Sequence, residues 1–178
     1  MYVNVCLGLP SQRVDLGAEN FYTEVMKEFI VSACLAGLPC KYNGGSNTCP
    51  AVVALVRQGR AVTACPESLG GLKAPRPPAE QQQGKVLDKT GKDVSEAFHK
   101  GAQAAMEVAR HFGCTKAIVK TKSPSCGAGH IYDGTFSHTL TPGDGLWVQA
   151  LKAEGIAIYT EKDLPPECAE PHFLAKKS

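Results

Sequence analysis

Three stretches set cysteine beside turn-forming residues: SACLAGLPC (Ser32 to Cys40), ACPE (Ala64 to Glu67) and KSPSCG (Lys122 to Gly127). Thiolates bind soft metals or act as nucleophiles, so their spacing decides which chemistry is open. No Cys-x-x-Cys knuckle of the zinc-finger kind occurs. Cys34 and Cys40 stand five residues apart, room for a wide loop. With Cys126 they could hold a cuboidal iron-sulfur cluster and leave one iron without a protein ligand. Such an iron is a soft Lewis acid that prefers sulfur. The plainer reading makes each cysteine a small buried hydrophobe at a strand end.

Glu67 follows Cys65-Pro66 in a turn-rich loop. There it is either a solvated carboxylate or, in a partly dry pocket, a group able to carry protons near neutrality. Ser123 either shapes the turn before Pro124 or offers its hydroxyl to a substrate. Lys41, Arg76, Lys120 and Lys122 flank these loops as solubilising charges, of which one or two can offset thiolate charge. Cys49 and Cys114 read as packing residues, and Cys6 and Cys168 receive no role.

The elements that must position these groups alternate. Glu28 to Ala33 reads as a strand, Pro50 to Gly59 as a helix with Pro at its start and Gly at its end, and Arg60 to Ala64 as a second strand. Cys65 to Gly84 is too rich in Pro and Gly for regular structure over most of its length. Lys85 to Val94 suggests a small hairpin about Thr90 and Gly91. A clear helix runs from Ser95 to His111, with Phe98, Ala102, Ala105, Met106 and Ala109 at helical spacing and Asp93 or Ser95 able to cap it. Lys116 to Thr121 forms the third strand and leads into KSPSCG. IYDGTF marks a tight Asp-Gly turn, Asp144 to Gly155 another helix and Ile156 to Thr160 a last strand.

Strands alternating with helices predict one compact Rossmann-like α/β domain, a mostly parallel sheet with helices on both faces. In such a sheet the strand ends bearing Cys34, Cys65, Glu67 and Cys126 open onto one rim. We expect the domain to span residues 26–161, with residues 1–25 as an extension of uncertain role, Met26 offering an alternative start, and residues 162–178 as a Pro-rich tail.

The totals narrow the class. With 178 residues the chain suits one domain, and 19 Lys plus Arg against 17 Asp plus Glu give no field to draw in a nucleic-acid backbone. A small-molecule substrate fits better. No secretory signal and no run of transmembrane length is visible. Eight cysteines at this density suit a reducing, cytoplasmic setting, where surplus thiols bind metal or do chemistry.

The run from about Glu28 to Glu161 resembles the bacterial thiouracil desulfidase family. The resemblance is carried by SACLAGLPCKYNGG, ACPESLGGL with APRPPAE, DVSEAFHKGA, KSPSCG with IYDGTF, and the GDG that opens the last helix. It implies a 4Fe-4S cluster on Cys34, Cys40 and Cys126, with one iron not bound by protein. It also implies Glu67 and Ser123 as catalytic side chains and a thiolated pyrimidine as substrate, 2-thiouracil passing to uracil with sulfide released and no net redox. Residues 1–25 fall outside it, and Cys65 receives no ligand role. Two rivals remain open, an iron-sulfur cluster carrier or redox protein and a noncatalytic zinc-binding module.

Overall fold

Phe29–Ser32 (β1) is a wholly buried FIVS run, as befits a central strand covered on both faces. The structure, a computed structural model, describes residues 26–168. The extension of residues 1–25, with Cys6, and the tail after Cys168 lie outside the described residues. Along the chain follow α1 (Pro50–Arg57), β2 (Ala61–Ala64), a single helical turn α2 (Pro66–Leu69), β3 (Ala79–Gln82) and β4 (Lys85–Asp88). Then come α3 (Ser95–His111), β5 (Lys116–Val119), β6 (His130–Tyr132), β7 (Leu140–Pro142), α4 (Leu146–Ala153) and β8 (Ala157–Thr160).

The main sheet has the order β2-β1-β5-β8, and every pairing in it is parallel. Phe29 stands opposite both Ala61 and Lys116, and Val119 opposite Thr160, so all four strands end on one rim. Side chains alternate between the two faces. Phe29, Val31 and Ile118 pack on Val52 and Leu55 of α1. Ile30, Ala117 and Val119 pack on Ala105, Met106 and Ala109 of α3 and on Trp147, Val148 and Leu151 of α4. Each large apolar side chain buried this fully contributes about 1.5–3 kcal/mol. The expected α/β architecture with helices on both faces is the observed one.

From β1 the chain crosses by α1 to β2 on one side, then returns by α3 to β5 on the other side of β1. Adjacent strands β1 and β5 therefore send their connections in opposite directions. A crevice opens at such a switch point, outside the carboxyl ends of the strands.

Residues 65–84 are irregular over most of their length, as expected, with two short exceptions: Pro66 at the first helical position starts the single turn of α2, and residues 79–82 form β3. A further hairpin, not foreseen, turns at Gln83 and Gly84, with β3 and β4 antiparallel and Ala79 opposite Asp88. Both turn residues have positive φ, 49° and 80°, as a two-residue turn matched to strand twist requires. Thr90 and Gly91 make the small hairpin turn expected there, closed by the antiparallel Leu87 to Asp93 bridge. Asp133-Gly134 opens a longer loop between β6 and β7, not a tight two-residue connection.

At the opening of α3 the Asp93 carboxylate accepts from Ser95 N at 3.0 Å and Ser95 Oγ at 2.6 Å. Packing of α2 on α3 is backbone on backbone. A Cβ on Gly101 would stand 1.8 Å from the Pro66 carbonyl oxygen, and one on Gly70 would stand 2.0 Å from that of Ala97. Among the described residues no helix is long and apolar enough to cross a membrane.

Candidate active site

The loop after β1 opens with a 3₁₀ turn over Ala33–Ala36 that places Cys34 directly at the sheet rim. Gly37 follows at φ +96°, a conformation that side chains resist, and lets the chain double back. The Cys34 carbonyl accepts from Gly37 N at 3.3 Å and Asn47 N at 2.9 Å, while Cys49 N donates to Leu35 O at 2.8 Å. Those bonds close the wide loop that carries Cys40.

The KSPSCG loop after β5 is pinned from above by the start of α4. Gly145 N donates to Gly127 O at 2.8 Å, Leu146 N to Pro124 O at 3.0 Å and Trp147 N to Ser125 O at 3.0 Å. Helix starts leave their first N–H groups without intrahelical partners, and here the loop carbonyls supply them. Gly145 must lack a side chain, since a Cβ would stand 2.3 Å from the Ser125 carbonyl.

These loops and α2 enclose a cavity of about 580 Å³ at the β1/β5 switch point. Cys34, Cys40, Cys65, Cys126, Glu67 and Ser123 all line it. Cys114 and Cys49 do not, since Cys114 is buried in the core under α3 and Cys49 packs beside α1, as does Cys168. All seven cysteines among the described residues are free thiols.

Three of the cavity thiols influence one another. The Cys40 thiol interacts with both Cys34 and Cys65, and its one proton can be shared with either: the interaction lowers both neighbours below the ordinary thiol range, Cys65 to about 6, and pushes Cys40 up. Asn47 Nδ2 approaches Cys34 Sγ at 3.8 Å and Ser68 Oγ donates to Cys65 Sγ at 3.3 Å, both favouring thiolate. Burial drives Cys126 well above its usual value. Metal binding would have to displace the protons on Cys40 and Cys126.

Among the described residues no group of three or more His, Cys, Asp or Glu side chains closes tightly enough for a single metal ion. Thiols from three chain segments line the one cavity, a soft donor set of the kind that holds a polynuclear cluster bringing its own sulfides. The donor set therefore suits an iron-sulfur group.

Glu67 sits on the single turn of α2, 17% exposed, in a salt bridge with Arg76, which is 10% exposed. Arg76 Nε and Nη2 both donate to Glu67 Oε2, at 2.8 and 2.5 Å. Ser125 Oγ makes a long contact of 3.4 Å to Oε1. Ser123 Oγ accepts from Ser125 N and Cys126 N, each at 3.1 Å. Those bonds give Ser123 the turn-shaping role. Its hydroxyl hydrogen has no acceptor among the described residues and remains available to donate.

Several functional neighbours escape a reading of the sequence. Gln81, inside a plain QQQ run, donates from Nε2 to Pro124 O at 2.9 Å and Asp144 O at 3.1 Å, tying the β3–β4 hairpin over KSPSCG. Glu80, 6% exposed, accepts at Oε2 from Gly134 N and Phe136 N, both at 3.0 Å. It thereby holds a loop whose Phe136 and His138 take φ of 57° and 65° and face the cavity. Lys120 is engaged by Glu161, Nζ to Oε1 at 2.6 Å. Nothing in the Pro-rich approach to the QQQ run marks Glu80 or Gln81, since β3 shows no strand pattern in the sequence.

A model of the family described as 2-thiouracil desulfurase matches residues 29–163. The uncharacterized protein YbbK of Bacillus subtilis (strain 168) is 38% identical over 145 residues, 76% of this chain and 96% of its own. A solved structure described as the [4Fe-4S]-dependent thiouracil desulfidase TudS is similar with a TM-score of 0.75 and 41% identity, over 80% of this chain and 95% of that one.

Proposed function

This chain belongs to the 2-thiouracil desulfurase family, and from that premise we propose that it exchanges the sulfur of a thiolated pyrimidine such as 2-thiouracil for oxygen, releasing sulfide. The cofactor in this reading is a 4Fe-4S cluster held by Cys34, Cys40 and Cys126, with one iron not bound by protein. One observation carries the proposal: three separate chain segments bring these thiols, Glu67 and Ser123 to one cavity at the switch point. The reaction is a non-redox hydrolysis in which the C=S carbon gains the oxygen of water and sulfur leaves as sulfide, so no electron donor is required.

The cluster, when bound, supplies a Lewis-acidic iron for the substrate's sulfur. The chain's own residues do the rest. Glu67, with Oε2 engaged by Arg76, uses Oε1 to take a proton from water or return one to the ring nitrogen. Ser123 donates its hydroxyl hydrogen to the substrate while its oxygen holds the Cys126 turn. Phe136, His138 and Tyr42 give the cavity aromatic walls suited to a planar ring. A formal net charge of +2 makes a small molecule, not a nucleic acid, the main partner. The catalytic unit in this reading is residues 26–161, flanked by the extension and the tail, and its cysteine-rich site suits a reducing, cytoplasmic setting.

Anaerobic purification with iron and acid-labile sulfide counts, followed by sulfide release from 2-thiouracil, tests the proposal. We expect about four of each per chain, with one sulfide per uracil formed. Serine at Cys34, Cys40 or Cys126 should lower the iron content, and Cys65→Ser should keep it. Glu67→Ala should retain the cluster and lower turnover about 10²- to 10⁴-fold. A loaded protein that releases no sulfide would point to a cluster carrier, and bound zinc without labile sulfide to a zinc module.

A further inference from the structure

We propose that Arg76 is a positioning residue of the reaction, fixing which oxygen of Glu67 can exchange protons and locking that carboxylate to the loop that carries Cys40. The inference rests on the desulfuration reading above. Arg76 lies in the Pro-rich stretch before β3, where a cation would ordinarily be a solubilising charge. The structure gives it a different setting, nearly enclosed, with every arm of its guanidinium engaged.

Nε and Nη2 converge on Glu67 Oε2, and Nη2 also donates to the Cys40 carbonyl at 3.1 Å. Nη1 reaches Lys73 O at 3.3 Å, and the Arg76 backbone N donates to Tyr42 O at 2.7 Å. One residue thus joins α2, the Cys40 loop and its own segment. Two N–H groups on one oxygen leave Oε1 with only the long Ser125 contact, so proton exchange falls to Oε1. Lysine cannot replace this, because an ammonium is a point charge without the planar fork that addresses two acceptors at once. A solvated ion pair would matter little, whereas removing one partner of an enclosed pair strands the other.

The competing account makes Arg76 a staple that only stabilises the fold. The two accounts separate in Arg76→Lys, Arg76→Gln and Arg76→Ala, each assayed for iron and labile sulfide, for kcat and KM with 2-thiouracil, and for hydrogen exchange in residues 40–46 of the cluster-free protein. We expect Arg76→Gln to load its cluster, exchange faster in residues 40–46, and lose about 10²-fold in kcat with little change in KM. Arg76→Lys should recover only a small part of that loss, and millimolar guanidinium should restore activity to Arg76→Ala.

Wild-type kcat in a loaded Arg76→Gln, or unchanged exchange in residues 40–46, overturns the proposal. If the Gln and Ala variants fail to fold or load, Arg76→Lys decides, since it keeps the charge: reduced kcat at full loading supports the positioning role and wild-type kcat refutes it. A loaded wild-type protein that releases no sulfide refutes the desulfuration reading instead, so the two failures cannot be confused.

Discussion

Glu67 owes its place to a contact made by atoms with no side chain, and Gly101→Ala tests that dependence. The added Cβ would stand 1.8 Å from the Pro66 carbonyl oxygen and 2.7 Å from its carbon. Even close carbon-oxygen contacts keep roughly 3.3 Å, so the two backbones must part by about 1.5 Å. The long helix α3 is anchored in the core by Phe98, Ala105 and Met106, whereas α2 is one turn long. The displacement therefore falls mainly on α2, and Glu67 is the residue after Pro66. Overpacking of this kind destabilises by about 1–3 kcal/mol, a fall in Tm of about 6 °C at the middle of that range. A reacting group misplaced by about 1 Å loses on the order of 10² in rate. The assay is sulfide release from 2-thiouracil well below Tm, normalised to iron content, beside Leu55→Ala. That control lies on α1, which covers the opposite face of the sheet, and should lose about 2–5 kcal/mol while keeping its turnover. Gly101→Ala should turn over about a hundredfold more slowly than Leu55→Ala. Equal turnover in the two folded variants would refute the argument that backbone contact with α3 sets the position of Glu67.

Two further outcomes follow from buried carboxylates. Glu80→Gln weakens the acceptor for Gly134 N and Phe136 N, so urea titration should show about 1–3 kcal/mol lost and KM for 2-thiouracil should rise more than kcat falls. Burial alone would raise Glu161, but bonds from Lys120 and Thr121 outweigh it and hold the carboxyl below the usual glutamate range. A depressed folded pKa gives stability that is fully present above the unfolded value of about 4.3 and lost as pH falls through the folded one. The stability gap between wild type and Glu161→Gln should accordingly be widest above pH 5 and shrink on acidification, in urea titrations stepped through that window.

Much of this arrangement is legible in the chain. FIVS and KAIV are β-branched runs that can only be buried strands, and each stops at turn residues that carry a thiol within a few positions. Alternation with helices then forces the strand ends onto one rim, so Cys34, Cys65 and Cys126 could be placed together without knowing the strand order. What stayed hidden has identifiable causes. One helical turn, α2, is too short to show a 3.6-residue period, so only Pro66 marks it. The Gln83-Gly84 turn escapes notice because Gln is an uncommon occupant of a positive-φ site. Arg76, Glu80 and Gln81 read as surface residues, because their importance lies in partners such as Glu67, Phe136 and Pro124 that fall 9 to 56 positions away. Ser125, which no sequence signal singles out, is 2% exposed and turned toward Glu67.

The bonds that hold the Cys34 and Cys126 loops in shape, Asn47 N to Cys34 O and Leu146 N to Pro124 O among them, come entirely from the polypeptide. Small zinc domains, by contrast, are formless until their ion arrives. In the desulfuration reading the receptacle therefore has a shape of its own, and stripping the iron should leave those loops folded and able to take it up again.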